Sequence, residues 1–319
     1  IAGGAFDNRP AGLERTARLG IAEGGFAAAL VAASGGLGII IPPSIAMVIY
    51  GVVARVDILQ LFVGGILPGL VVGGALIAYL LVVSIRRGYG SREVREGPPA
   101  LGRAFVAALP GLLAPVVILA CIYSGFSSPT KVAAVAVAYA FGADLAFYRD
   151  IRWGQVLGVF REAAVLSSQV LVVVAAASLF AWVLNYTEIT QAMVGWLQGM
   201  ELPAWLMLVL INAVLLLAGG FLDAISIYYI FLPILIPIIR LFQWDPVWFG
   251  VVMTVNLAIG QLTPPVAVNL YVACNLAQIR LEEISRAIVP FILAMLLALG
   301  IVTAFPALST FLPDFFRLR

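Results

Sequence analysis

Two clusters of glycine and proline carry the spacing most able to do chemistry: Gly38-Ile39-Ile40-Ile41-Pro42-Pro43 and Gly260-Gln261-Leu262-Thr263-Pro264-Pro265. Both read G-x-x-x-P-P inside apolar runs, and residue 38 stands 222 positions before residue 260. Proline has no N–H and its ring clashes with the carbonyl four residues earlier, so each pair breaks a helix. A broken helix leaves carbonyls and N–H groups unpaired, which hydrocarbon accepts only where a cavity, an ion or a protein partner satisfies them. For either cluster alone, a helix merely kinked by proline remains an open reading. The same offset pairs Pro68 with Pro290, so two matches in one register point to an internal repeat.

A third candidate is Asp223, four residues after Gly219 in an apolar stretch. Residues 205–239 number 35, or about 52 Å of helix, against the roughly 60 Å that two membrane crossings need. A re-entrant hairpin with its tip at Gly219-Gly220 fits better. An isolated carboxylate at such a tip costs about 2.5 to 3.5 kcal/mol on insertion scales and is a functional candidate. Capping the second hairpin helix is the alternative, and the two roles are compatible.

The elements that must position these residues are membrane helices. The chain is 63% hydrophobic and 11% charged, far from the roughly half apolar and quarter charged usage of soluble domains. Apolar runs at residues 59–85, 104–123, 132–147 and 287–305 approach or exceed the roughly 20 residues that cross a bilayer. The expectation is an all-α polytopic membrane protein whose surface meets lipid. The net charge of +2 is spread over short loops, which gives nucleic acid no binding face. Cys121 and Cys274 lie in separate runs and histidine is absent, so no transition-metal site, cofactor or His-based catalysis is expected. An intramembrane hydrolase would need a nucleophile paired with a base, and the embedded acids are not paired in sequence. Ile1 is followed by no charged segment with a cleavage site, so the start reads as neither native nor a signal peptide.

Charge orients the spans. Thirteen basic residues (Arg9, Arg15, Arg18, Arg86, Arg87, Arg92, Arg95, Arg103, Arg149, Arg152, Arg161, Arg280 and Arg286) group on one side, the cytoplasm by the positive-inside rule. Arg55, Lys131, Arg240, Arg317 and Arg319 fall in the alternating segments. Five of six tryptophans lie near the predicted outer interface, and only Trp153 near the inner one. Ile189, Ala192, Met193, Trp196 and Leu197 share one helical face and predict a helix lying flat at the outer surface. In this orientation the two breaks run in opposite directions, an inverted repeat typical of secondary transporters. Projected back by 222 residues, the hairpin tip falls just before residue 1. With a gap of about six residues in the register, Ala2-Gly3-Gly4-Ala5 is expected to be what remains of that tip, with the first hairpin lying mostly upstream. The chain divides into a first hairpin end and broken helix (1–54), a span and cytoplasmic linker (55–103), scaffold helices (104–186), an interfacial helix (187–202), a second hairpin and broken helix (203–279), and a last span (280–319).

Ala33-Ser34-Gly35-Gly36-Leu37-Gly38 running into Ile41-Pro42-Pro43-Ser44, then Ile49-Tyr50-Gly51-Val52 and Gly64-Gly65-Ile66-Leu67-Pro68-Gly69, resembles the large membrane subunit of tripartite ATP-independent periplasmic (TRAP) transporters. Tyr123-Ser124-Gly125 with Ser128-Pro129-Thr130, Ala175-Ala176-Ala177-Ser178, Phe221-Leu222-Asp223 and Asn256 to Pro265 continue the likeness in the same order. It covers nearly the whole chain beyond about residue 20.

The resemblance implies an elevator-type sodium symporter, in which two hairpins and two broken helices move against a scaffold. It implies uptake of carboxylates such as C4-dicarboxylates or sialic acids, a periplasmic substrate-binding protein that delivers them, and a small membrane subunit. Carried over by motif, one sodium site comprises Ser34, Gly35, Gly36 and Gly38, and the other Gly219, Gly220, Asn256, Gly260 and Thr263. Pro42, Pro43, Ser44, Asp223, Pro264, Pro265 and Asn269 flank half-helix ends and form the expected substrate-facing set. Sodium is a hard cation that backbone carbonyls and hydroxyls can ligate, and half-helix N-termini suit an anion. Back-bonding within its own helix is the competing role for Ser34. Two departures from the family pattern are Gly4 followed by Ala5, Phe6 and Asp7 in place of serines, and one extra residue at Ala22-Glu23-Gly24-Gly25. The rival readings are a binding-protein-independent carboxylate carrier of related architecture and a non-transporting membrane scaffold.

Overall fold

The computed structural model describes residues 24–87, 101–123, 129–148, 153–199, 202–277 and 279–318, and their regular elements are helical. α1 (Gly24–Ile40) and α2 (Ile45–Ala54) form the first broken helix, and α3 (Ile58–Arg87) follows. α4 (Leu101–Tyr123), α5 (Pro129–Ala143) with a π-helical extension (Asp144–Tyr148), and α6 (Trp153–Tyr186) come next. α7 (Ile189–Gly199) leads to the hairpin of α8 (Ala204–Gly219) and α9 (Ala224–Leu241). α10 (Pro246–Gly260) and α11 (Val268–Ala277) form the second broken helix, and α12 (Leu281–Ala304) and α13 (Ala307–Phe315) end the chain. Among the described residues, six stretches are long and apolar enough to cross a membrane: Gly25–Ala54 taken across its break, Ile58–Arg87, Lys131–Tyr148, Trp153–Leu184, Ala224–Leu241 and Leu281–Ala304.

Each break has a local cause. α1 ends ahead of Pro42-Pro43, and α2 restarts on Ser44, whose hydroxyl accepts the Met47 N–H at 3.3 Å and donates to the Ile39 carbonyl. α10 starts on Asp245, which accepts the N–H groups of Val247 and Trp248 at 2.9 and 3.0 Å; Pro246 sits where its missing N–H costs nothing. Both Pro-Pro bonds are cis.

The repeat register holds across whole elements. A shift of 222 residues carries the starts of α2 and α3 to positions 267 and 280, and α11 and α12 begin at Val268 and Leu281. α1 lies against α10 and α11, while α2 lies against α9 and α10. The halves of the two broken helices thus pack on one another. Gly36 and Ala258 are equivalent in this register, and they meet: a Cβ on Gly36 would stand 3.5 Å from the Ala258 carbonyl oxygen.

The helices gather into two units, one holding α1–α3 and α7–α13, the other α4, α5 and most of α6. In the first, every residue from Val247 to Gly260 is buried. A helix apolar all round belongs at a core, and α10 packs on α1, α2, α3, α8, α12 and α13. In the second unit, the Tyr139 hydroxyl donates to the Pro110 carbonyl at 2.6 Å, and Phe141 stacks on Phe160 at 5.7 Å. α7 leaves Ile189 and Trp196 exposed on its apolar face.

Candidate functional site: a hairpin tip seated on a helix break

The chain from Gly219 to Asp223 turns sharply between α8 and α9. α8 has 16 residues, about 24 Å, and so stops short of the roughly 30 Å hydrocarbon width. Asp223 caps α9 by accepting the N–H groups of Ile225 and Ser226 at 2.9 and 3.2 Å, and it also accepts the Ser226 hydroxyl. The capping role foreseen for Asp223 is therefore present, and its side chain stays exposed.

This tip sits on the second break. A Cβ on Gly219 would stand 2.9 Å from the Cα of Gly260, and one on Gly220 would stand 3.5 Å from the carbonyl oxygens of Thr263 and Pro264. The Gly220 carbonyl accepts the Val266 N–H at 3.0 Å. Asn256 lies one turn before Gly260 on the same face of α10. Gly219, Gly220, Asn256, Gly260 and Thr263 are therefore assembled from two separate elements.

Asn256 is fully buried. Its Nδ2 donates to the carbonyl oxygen of Asn212 at 2.9 Å and to Asn212 Oδ1 at 2.8 Å. Two acceptors facing one nitrogen fix the amide orientation, which leaves Asn256 Oδ1 buried and without a partner among the described residues. Such an orphan acceptor costs about 1 to 3 kcal/mol unless something occupies it. Asn212 is itself held by donating Nδ2 to the Leu208 carbonyl at 2.9 Å. Sequence reasoning did not single out Asn212; its signal was a lone amide seven residues before Gly219, on the same face of α8.

The Thr263 hydroxyl donates to the Ile259 carbonyl at 3.0 Å, which leaves its oxygen lone pairs free to accept or ligate. Asn269 donates its N–H to the Gln261 carbonyl at 3.2 Å across the break, while its Nδ2 is buried without a partner among the described residues. Pro264 and Pro265 are exposed.

The first set is more open. Ser34 donates to the Leu30 carbonyl at 2.7 Å, so the back-bond weighed for it exists. Ser34, Gly35 and Gly38 are exposed and Gly36 is buried; no described atom lies within 4 Å of a Cβ built on Gly35 or Gly38. Pro42 and Ser44 are buried and Pro43 is half-buried. The 222-residue register makes Ser34 the equivalent of Asn256 and Gly38 the equivalent of Gly260. The readings made for Gly4 to Asp7 and for most of the linker fall outside the described residues.

The model of the DctM component of the tripartite ATP-independent periplasmic transporter matches residues 14–308. The isethionate TRAP transporter permease protein DctMQ of Oleidesulfovibrio alaskensis is 38% identical over 286 residues, 90% of this chain and 45% of that protein. The C4-dicarboxylate TRAP transporter large permease protein DctM of Pseudomonas aeruginosa is 37% identical over 293 residues, 91% of this chain and 67% of that one. The sialic acid TRAP transporter permease protein SiaT of Haemophilus influenzae is 32% identical, covering 89% of this chain and 46% of its own length. The chain thus spans about half to two thirds of the length of these relatives.

Proposed function

We propose, starting from the fact that this chain belongs to the DctM family of TRAP transporter large components, that it carries sodium-coupled uptake of an organic acid. The family is one of transporters, not enzymes, and the chain is a multi-pass membrane protein. The observation that supports sodium coupling is the buried Oδ1 of Asn256, without a partner among the described residues, one turn below the contact of Gly219 with Gly260. Sodium needs several neutral oxygens and no strong base. Asn256 Oδ1, the Thr263 hydroxyl and carbonyls freed at the break supply that donor type, and Ser34, Gly35, Gly36 and Gly38 are the matching set in the first repeat.

The substrate is an anion, as isethionate, C4-dicarboxylates and sialic acid in the relatives' names all are. Half-helix N-termini suit it: α2 on Ser44 and α11 after Pro264-Pro265 present N–H groups toward the two breaks, with Asn269, Pro42, Pro43 and Asp223 alongside. A periplasmic binding protein delivers the acid, a small membrane subunit completes the complex, and the site moves across the inner membrane as an elevator. The test is uptake by the complete complex in proteoliposomes: it should require a sodium gradient and no ATP. Uptake that persists when choline or potassium replaces sodium overturns the reading.

A further inference from the structure

At the end of the first unit where α1 and α12 begin and α3 finishes lies a cavity of about 630 Å³. Arg87, Arg280 and Arg286 line it, with Glu282 and Glu283. The five charged groups leave a positive excess of one. Glu283 is also committed elsewhere, since its Oε1 accepts the Gly25 N–H at 3.2 Å and ties the start of α1 to the start of α12. The first turn of α12 opens on Arg280 with no side chain capping it, and Glu282 and Glu283 stand in that same turn and offset its partial positive charge, so the arginines alone carry the excess. The remaining wall is apolar, built from Phe26, Tyr79, Ala287 and Pro290, and the Tyr79 and Phe26 rings both pack on Phe291 behind it. Arg86, Arg87, Arg280 and Arg286 belong to the basic set that the positive-inside rule assigns to the cytoplasmic face.

Arginine forks above a greasy wall at a membrane surface match one ligand chemistry: a phosphodiester whose neighbouring carbons continue into hydrocarbon. We propose that this cavity binds the headgroup of an anionic phospholipid of the cytoplasmic leaflet. Arg280 and Arg286 take the phosphate oxygens, and the Phe26 and Tyr79 wall takes the glycerol and first acyl carbons. Basic pockets between helices on this side of a membrane hold anionic headgroups by the same physics, and guanidinium pairs phosphate in bidentate fashion. The ligand would tie the start of one repeat's broken helix to the span that closes the other. This site is independent of the ion site and does not rest on the sodium reading.

The test uses the full-length protein with its membrane partner, delipidated in detergent and titrated with phosphatidylglycerol, cardiolipin, phosphatidylcholine or inorganic phosphate. Thermal melting and native mass spectrometry are the readouts. Phosphatidylglycerol and cardiolipin should raise the melting temperature and remain bound, whereas phosphatidylcholine and phosphate should do neither. Arg280→Gln with Arg286→Gln should leave the lipid-free melting temperature unchanged and weaken anionic-lipid binding by about 25-fold, about fivefold per arginine. If that double variant melts lower without lipid, Arg286→Gln alone, read by mass spectrometry for a fivefold loss, decides the matter. An equal response to phosphatidylcholine, a response to phosphate alone, no response to any lipid, or full retention of anionic lipid by the variants overturns the proposal.

Discussion

Gly219 and Gly260 meet backbone to backbone, and a Cβ on Gly260 would fall 2.7 Å from the Gly219 Cα. No rotamer change relieves that clash, because the obstructing atom belongs to the main chain. Gly260→Ala must lift the hairpin tip off the break. Overpacking of this kind costs about 1 to 3 kcal/mol, so the variant should melt lower and lose the proposed sodium-driven uptake at normal expression. Unchanged melting and uptake would mean the tip is not held there.

Asn212→Ala removes one of the two acceptors that aim the Asn256 amide. The expected cost is about 1 kcal/mol of stability, with about a fivefold rise in the sodium concentration giving half-maximal uptake. Asn256→Leu, which deletes the orphan oxygen, should abolish stabilisation by sodium in a thermal melt. If both variants keep the wild-type sodium dependence, Asn256 is structural only.

Thr263→Val keeps the branched shape and removes one neutral oxygen. A lost ligand of that type costs on the order of 1 to 3 kcal/mol, or about a five- to 150-fold rise in half-saturating sodium. Folding should survive, since the hydroxyl's donor role is one bond to the Ile259 carbonyl. Sodium titrations of uptake check this; an unaltered curve leaves the threonine as a helix back-bonder.

Gly250 packs under the Tyr50 ring, and a Cβ there would lie 2.4 Å from Tyr50 Cε1. The ring is fully buried and its hydroxyl donates to the Pro246 carbonyl at 2.7 Å. Tyr228 sits edge-on to it at 5.9 Å, and Thr254, hydrogen-bonded to the Tyr228 hydroxyl at 2.7 Å, returns a bond of 2.7 Å to the Gly250 carbonyl. Gly250→Ala should therefore destabilise by about 1 to 3 kcal/mol. The same change on a Tyr50→Leu background should cost less, with a coupling of about 0.5 to 3 kcal/mol by a double-mutant cycle. Additive effects would place the strain elsewhere.

Orientation is checked by cysteine substitutions at Arg92 and Glu188 in a background lacking Cys121 and Cys274. Position 188 should label from outside intact cells with an impermeant thiol reagent, and position 92 only after lysis. Labelling of position 92 from outside reverses the assigned inversion.

What could be read from sequence is what acts locally. The breaks at Pro42-Pro43 and Pro264-Pro265, the turn at Gly219-Gly220 and the cap at Asp223 each depend on residues within one helical turn, and the structure has them all. The 222-residue register was legible because it reappears in bounds set by those same prolines. The contact of Asn212 with Asn256 spans 44 residues and that of Tyr50 with Gly250 spans 200. Only packing brings such pairs together, and no periodicity announces them.

The meeting of Gly36 with Ala258 bears on how such a chain changes over generations. A residue that touches its own repeat counterpart is a place where the two halves share one volume. A larger side chain in one half removes room from the other, so a tolerated change needs an answering change 222 residues away. Elsewhere the halves are free to drift apart in sequence, as Ser34 and Asn256 have. At this contact they remain bound to one another, and covariation between positions 36 and 258 is the record such coupling should leave.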